Sequence, residues 1–287
     1  MADRDAPVAF VTGASRGIGK AIAVHLARGG YDVAVLARTV NEGEAREHSS
    51  TVERSDTSPL PGSLTTTAEL IRAEGRNALV VPGDLTDRAS LGAAAATVLE
   101  RWGHVDVLVN NGRYIGPGHM DRFLVTPLDL LDKHLDANVM APLVLTRAVV
   151  PGMLRRGGGL VANVTSGVAW MEPKAAAGEG GWGLGYAISK GALHRVAGVL
   201  HAELFERGVS CVNVEPGYVA TERIAQDMAR FGYDAAAGAP PDAVGAAVAW
   251  LATGDRARAW SGKLFPAQDV CAEHNLLPGF VPVESPG

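Results

Sequence analysis

Between Val8 and Arg38 the chain reads VAFVTG, ASRGIGKAIAVHLARGG and YDVAVLAR, and this stretch restricts the fold more than any other. Val8–Gly13 is a short, unbroken apolar run, the pattern of a strand buried on both faces. The next residues place apolar side chains at helical spacing until Gly29-Gly30 stops them, and Tyr31–Arg38 is a second buried strand. Such a βαβ unit crosses over right-handedly, so its strands run parallel. Its turn carries Gly13-x-x-x-Gly17-x-Gly19. Glycines there permit a tight turn, close backbone approach to a ligand and close helix–strand packing. An anionic diphosphate then rests on the free N–H groups of the helix N-terminus. Gly13, Ser15, Arg16, Gly17, Ile18 and Gly19 are the expected contacts of a dinucleotide.

The end of the second strand selects which dinucleotide. An acidic residue there would accept a hydrogen bond from the ribose 2′-OH of NAD; this chain has Ala37 followed by Arg38. A guanidinium suits a 2′-phosphate, and Arg16 offers a second cation, so NADP(H) is expected ahead of NAD(H). From Thr39 to about Thr66 the chain is polar and far longer than a usual βα connection. It reads as a mobile surface excursion; the sharper alternative folds it over the adenosine end of the cofactor.

A chain of 287 residues with 47% hydrophobic residues can bury a large core. Its net charge of -5 argues against a nucleic-acid partner. No eighteen apolar residues run unbroken, and the MADRDAP terminus is not a signal sequence, so no membrane partner is expected. Cys211 and Cys271 suit neither a disulfide framework nor a zinc site, and a reducing cytoplasmic setting is expected. No histidine has metal-ligand spacing.

Helical spacing resumes at Leu64–Gly75, and Asn77–Leu85 reads as a third strand with Asp84 and Leu85 at its tip, placed for the adenine ring. A helix with Thr86 as N-cap and Gly103 as its stop follows. Val105–Gly112 is the fourth strand. A helix spanning Leu130–Leu145 contains Asn138, a poor mid-helix residue whose presence is a local conflict of the kind functional sites carry. Gly158–Gly167 is the fifth strand and ends in Thr165-Ser166. The next helix opens with Tyr186-Ala-Ile-Ser-Lys190. Residues i and i+4 share a helix face, and a cation near a phenol favours its ionised form, which suits general acid–base work. VSCVNVEPGYVATE is the sixth strand running into Pro216-Gly217. Glu222–Asp234 reads as a mobile, partly helical flap. The last helix starts at Pro241, AWSGKLFPAQDV is the final strand, and residues 271–287 form a surface tail. No composition shift divides residues 1–287, so one domain is expected.

Taken together, Thr12-Gly13-x-x-x-Gly17-Ile18-Gly19, Asp84-Leu85, Asn110-Asn111-Gly112, Asn138, Ser166, Tyr186-x-x-x-Lys190 and Pro216-Gly217-x-x-x-Thr221 resemble the short-chain dehydrogenase/reductase family, in its Tyr-x-x-x-Lys branch. The resemblance runs from Val8 to about Val270. It implies a single-domain Rossmann fold, α/β in class, with a doubly wound seven-stranded parallel sheet and helices on both faces. It also implies a catalytic tetrad of Asn138, Ser166, Tyr186 and Lys190. Tyr186 would exchange a proton with the substrate oxygen, Ser166 would hold that oxygen, and Asn138 would hold a water leading from Lys190. Cofactor contacts carried over are Asn110, Gly112, Tyr186, Lys190, Pro216, Gly217, Val219 and Thr221. A homotetramer or homodimer is implied, built on the helices bearing Asn138 and Tyr186.

Three features depart from the family pattern. Arg113 follows Gly112 where relatives carry glycine, and either narrows the adenine pocket or points at solvent. The Ser166–Tyr186 connection is long and contains MEPKAAAGEGGWGLG, read as a flexible wall beside the substrate. The third is the Thr39–Thr66 excursion. Loops after Gly112, Ser166 and Gly217 hold Tyr114, His119, Met120, Trp170, Met171, Trp182, Tyr218, Phe231 and Tyr233, which points to an apolar carbonyl or secondary alcohol as substrate. No fixed cationic cluster marks a phosphorylated or CoA substrate, although Lys174 and Arg223 in the same loops could serve one. The alternative to an enzyme is a non-catalytic dinucleotide sensor on the same fold.

Overall fold

A computed structural model describes residues 6–283. The MADRD terminus and residues 284–287 of the expected tail lie outside the described residues. Seven strands form one parallel sheet: β1 (Val8–Thr12), β2 (Asp32–Ala37), β3 (Ala78–Pro82), β4 (Val107–Asn110), β5 (Gly159–Val164), β6 (Val209–Glu215) and β7 (Leu264–Pro266). Their order is β3-β2-β1-β4-β5-β6-β7. Alternate strand residues feed two separate cores. Ala9, Val11, Val33, Val35, Val107 and Val109 face α1 (Gly17–Arg28), α2 (Leu64–Ala73) and a later helix, Pro241–Ala252. Val8, Phe10, Ala34, Leu36 and Leu108 face α3 (Arg88–Trp102) and the helices after β4 and β5. Both faces of the strands are buried, which is why they lack polar alternation.

Because β1 pairs with β2 on one side and β4 on the other, the strand order reverses between β1 and β4. A crevice opens beyond the carboxyl ends of strands at such a switch point. Gly13 and Gly112 lie at its floor, and a Cβ on Gly13 would come within 2.7 Å of the Gly112 Cα.

Several boundaries differ from the sequence reading. The N-cap of α3 is Asp87, whose carboxylate accepts from the Ala89 and Ser90 N–H groups; Thr86 instead bonds to Asp84. Gly103 ends α3 at φ 80° as expected. The helix carrying Asn138 has three parts: α4 (Leu128–Leu135), a π-turn at Asp136–Met140, and α5 (Ala141–Arg156). It is apolar and long enough to cross a bilayer, but 56% of its most apolar window is buried inside the molecule. Next come α6 (Leu184–Leu204), α7 (Glu222–Asp227) and α8 (Pro241–Ala252). Pro241 does occupy the first turn of α8, yet α8 is not the last helix. The segment expected as one final strand gives α9 (Arg256–Trp260), a three-residue β7, and α10 (Ala267–Glu273). The tail does not wander: Leu276, Leu277 and Phe280 pack on the core, and the Val283 N–H bonds to Gln268.

Candidate active site

The glycine turn is shaped for close backbone approach. Gly13 and Gly17 have φ of 66° and 53°, and a Cβ on Gly19 would stand 2.2 Å from the Gly13 carbonyl oxygen. Thr12 Oγ1 accepts the Asn111 and Gly112 N–H groups, and Asn111 Nδ2 donates to the Thr12 and Gly13 carbonyls, stapling the ends of β1 and β4 together. No side chain caps α1, so its first N–H groups face the crevice. The residues present fit a dinucleotide diphosphate at this point. Glu222 also touches the turn, with Oε1 3.4 Å from Lys20 Nζ and a buried, unpartnered Oε2.

One continuous cleft takes in Gly13, Ser15, Arg16, Gly17, Ile18, Gly19, Arg38, Asp84, Leu85, Gly112, Tyr186, Lys190, Pro216 and Thr221. Other expected contacts lie beside it. The Asn110 amide is buried, with Nδ2 donating to Asn163 Oδ1 and Thr146 Oγ1, and its neighbour Asn111 lines the cleft instead. Val219 is buried in a bridge to Ala239, and Gly217 turns at φ 67° against Gln268. Arg16 does not offer a free second cation. Its Nε donates to the Pro61 carbonyl and its Nη2 to those of Gly62 and Leu60, so its fork holds the excursion. Arg38 lines the cleft beyond Ala37, beside the ion pair of Arg46 and Glu44.

At the other end, Tyr186 and Lys190 share the cleft-facing side of α6. Lys190 Nζ donates to the Val164 carbonyl at 2.7 Å, and burial, with the Arg113 charge second, pushes its pKa down to about 7. Asn138 sits in the π-turn, a distortion often found at functional sites. Its Oδ1 accepts the Tyr114 N–H at 2.6 Å and its Nδ2 donates to Ser189 Oγ, which donates in turn to the Tyr186 carbonyl. The side chain therefore ties the loop after β4 to the first turn of α6. Ser166 follows Thr165, a cleft residue, in extended backbone at the tip of β5.

Around the phenol the structure departs from the sequence reading. Arg113 neither narrows the adenine pocket nor points at solvent: its guanidinium lies 5.4 Å from the Tyr186 ring centroid. The His119 ring packs edge-on to Tyr186 at 4.4 Å. Of the aromatic and Met residues expected around the substrate, Tyr114 lines this cleft, together with Ile115. Trp170 lies tilted against His194, half exposed, while Phe231 and Tyr233 line a separate pocket. The long connection before Tyr186 is tied down by the Gly183 N–H, which donates to the His119 carbonyl.

The excursion after Arg38 is ordered, and this corrects the mobile reading. His48, Ser49, Ser50 and Thr51 are buried, and Glu44, Arg46, Glu47, His48 and Leu60 line the cleft. The alternative that placed it over the adenosine end agrees with the cleft residues beside Arg38, and the segment also continues to the opposite end. Met120 N–H donates to the Ser50 carbonyl, Val52 N–H to Asp121, and Ser50 Oγ to Asp227 of α7. Nor is the segment after Thr221 a loose flap, because Arg223, Asp227 and Met228 are buried beneath this strap. Much of the strap's polar bonding is local, as at Glu47 with Ser49, Ser55 and Asp56. The bonds that dock it, from Ser50 and Val52, go to residues distant in the chain that sequence patterning does not reveal.

A glycine-lined crevice at a switch point, with a phenol and an ammonium at its far end, defines a dinucleotide-binding protein of the doubly wound α/β class. A family model for short chain dehydrogenases matches residues 7–73 and 57–230. A dehydrogenase/reductase (SDR family member 7) of Mus musculus is 33% identical over 75% of this chain and 56% of its own length. The cyclohexanol dehydrogenase of a Rhodococcus species is 29% identical over 78% of each chain. The chain thus spans little more than half of the mouse relative. A solved structure from Xanthomonas campestris assigned as a dehydrogenase has a TM-score of 0.77 at 26% identity, covering 98% of this chain and 96% of that one. Another from Beutenbergia cavernae, assigned as an NAD(P)-dependent gluconate 5-dehydrogenase with NADP at low occupancy, has a TM-score of 0.70 at 28% identity, covering 91% and 94%. The chain belongs to the short-chain dehydrogenase/reductase family.

Proposed function

We propose that the protein is an NADP(H)-dependent oxidoreductase that interconverts a carbonyl compound and its secondary alcohol, with Tyr186 as general acid and base. The observation that carries this reading is the single cleft running from the glycine turn and Arg38 to Tyr186 and Lys190. NADPH, when bound, supplies the hydride. The glycine turn and the open first turn of α1 hold its diphosphate, and Arg38 meets the 2′-phosphate in the place where an acid would have favoured NAD. In reduction, Tyr186 gives its proton to the carbonyl oxygen while Ser166 donates a hydrogen bond to the same atom, where charge develops. Lys190, pinned to the Val164 carbonyl, fixes the side of α6 from which Tyr186 works. A water held near Asn138 would return the proton from solvent. The NADP-bound relative from Beutenbergia cavernae supports the cofactor choice.

NADPH oxidation with a neutral aromatic diketone tests the reading. Tyr186→Phe should lower kcat by about 10²- to 10⁴-fold while NADPH still binds. Wild type should prefer NADPH to NADH in kcat/KM, and Arg38→Asp should reverse that preference. Retained turnover in Tyr186→Phe removes the tyrosine from the mechanism, and binding without turnover on a broad ketone panel leaves a dinucleotide sensor. The reading extends to a cytoplasmic homodimer or homotetramer, with cell fractionation as the check on location.

A further inference from the structure

Two cations beside the phenol are not used by the chemistry above. Arg113 donates from Nη1 to the Tyr114 carbonyl at 3.0 Å, and its guanidinium lies over the Tyr186 ring. Arg223, only 6% exposed, donates from Nη2 to Ser50 Oγ at 2.7 Å, while its Nε is buried with no partner. Both side chains line the cleft that holds Tyr186 and Lys190. Among the described residues, neither guanidinium has a carboxylate within ion-pair distance. Of the acids nearby, Asp227 accepts from Ser50 and pairs with Arg230 at 3.1 Å, and Glu222 meets Lys20 through Oε1 while its Oε2 is unpartnered. Burial, and after it the Arg113 charge, lowers the Arg223 pKa to about 9. Buried like charges with open donors are costly unless an anion joins them.

We propose that Arg113 and Arg223 bind a carboxylate carried by the carbonyl substrate, so that the enzyme acts on an oxo acid and the matching hydroxy acid. The inference rests on the reductase reading and names the substrate class of that site. A planar fork of N–H donors suits a carboxylate, and the two guanidinium charges act on each other and on Tyr186. Tyr114 and Ile115 provide apolar wall for the remainder of the substrate. In the reaction the carbonyl carbon takes hydride from NADPH and its oxygen takes the Tyr186 proton, giving an alcohol and NADP⁺. The carboxylate is unchanged.

The test compares phenylglyoxylate and 4-oxo-4-phenylbutanoate with their methyl esters, using NADPH and the full chain. Wild type should favour at least one acid over its ester by about 10-fold or more in kcat/KM. Arg113→Met and Arg223→Met should each lose about 10- to 100-fold on that acid relative to the ester, chiefly through KM. Arg223→Lys should recover part of the loss, and thermal melts of each variant show whether it folds. For a variant that does not fold, binding of phenylglyoxylate to the wild-type NADP⁺ complex, but not of its ester, is the required result. Equal or better turnover of esters leaves the reductase reading standing and overturns this one. Loss of NADPH affinity in both variants, with acid and ester affected alike, would assign the arginines to the cofactor's phosphates and also overturn it. Turnover of no ketone while NADPH binds removes both readings.

Discussion

His134 shows how a single side chain couples the site to pH. It is fully buried on α4, neither ring nitrogen has a partner, and its ring lies edge-on to Tyr114 at 4.7 Å. Burial, followed by the charges of Arg113 and Arg223, pushes its pKa down to about 3. His119 is driven well below its ordinary value by the same causes. The folded protein keeps both rings neutral, whereas the unfolded chain takes up protons below about pH 6.5. The contribution of His134 to stability is therefore complete above that pH and is lost as pH falls toward about 3, by at most about 1.4 kcal/mol per pH unit, and His119 acts in the same direction. Thermal melts of wild type should show Tm falling from pH 6.5 to 5, and His134→Phe should show a shallower fall. Identical slopes would mean that His134 takes up no proton on unfolding in that range. Gly185 belongs to the same contact, since a Cβ there would come within 2.7 Å of the His134 ring. The residue before Tyr186 is small because α6 meets α4 at this point.

At the scale of elements, the strap after β2 decides how closed the cleft is. Arg16 holds three consecutive carbonyls of it, from Leu60 to Gly62, and Ser50 anchors its middle to α7 through Asp227 and Arg223. Arg16→Met removes the first anchor without touching the second. Limited proteolysis of this variant should cut within residues 42–62 faster than in wild type, and NADPH should protect less. Unchanged cleavage would show that the Ser50 anchor alone orders the strap. The π-turn is the other decisive element. An asparagine in mid-helix was visible in the sequence as a conflict, but its resolution was not. The turn widens the helix by one residue and aims the Asn138 amide at Tyr114 N–H and Ser189 Oγ, partners supplied by two other elements.

For the molecule as a whole, α6 leaves Leu184, Ile188 and Val199 substantially exposed, with Leu128 of α4 exposed as well. Residues 188 and 199 are about three turns apart and so lie on one face. Apolar side chains grouped on adjoining helices mark an association surface more often than a free one. Sedimentation velocity should find a dimer or tetramer for wild type, and Ile188→Glu combined with Val199→Glu should shift it toward monomer. A wild-type monomer at micromolar concentration would rule this surface out as a homo-oligomer contact.

The sequence by itself determined the parallel βαβ frame, the glycine turn, the strand tips and the i, i+4 spacing of Tyr186 and Lys190. These are local: unbroken apolar runs, helical periods and glycine positions state them within a few residues. The short β7 and the helices on either side of it were misread, because a three-residue strand has too little pattern to separate it from its flanks. Only the tertiary structure decided what surrounds the phenol. Arg113 and His119 come from the loop after β4 and Arg223 from α7, and Ser50 reaches Arg223 from a polar strap that reads as solvent-exposed. Their meeting depends on sheet order and on hydrogen bonds spanning more than a hundred residues, and no local pattern encodes such contacts. The reacting group was therefore legible in the chain, while the charge environment that selects its substrate was set by folding.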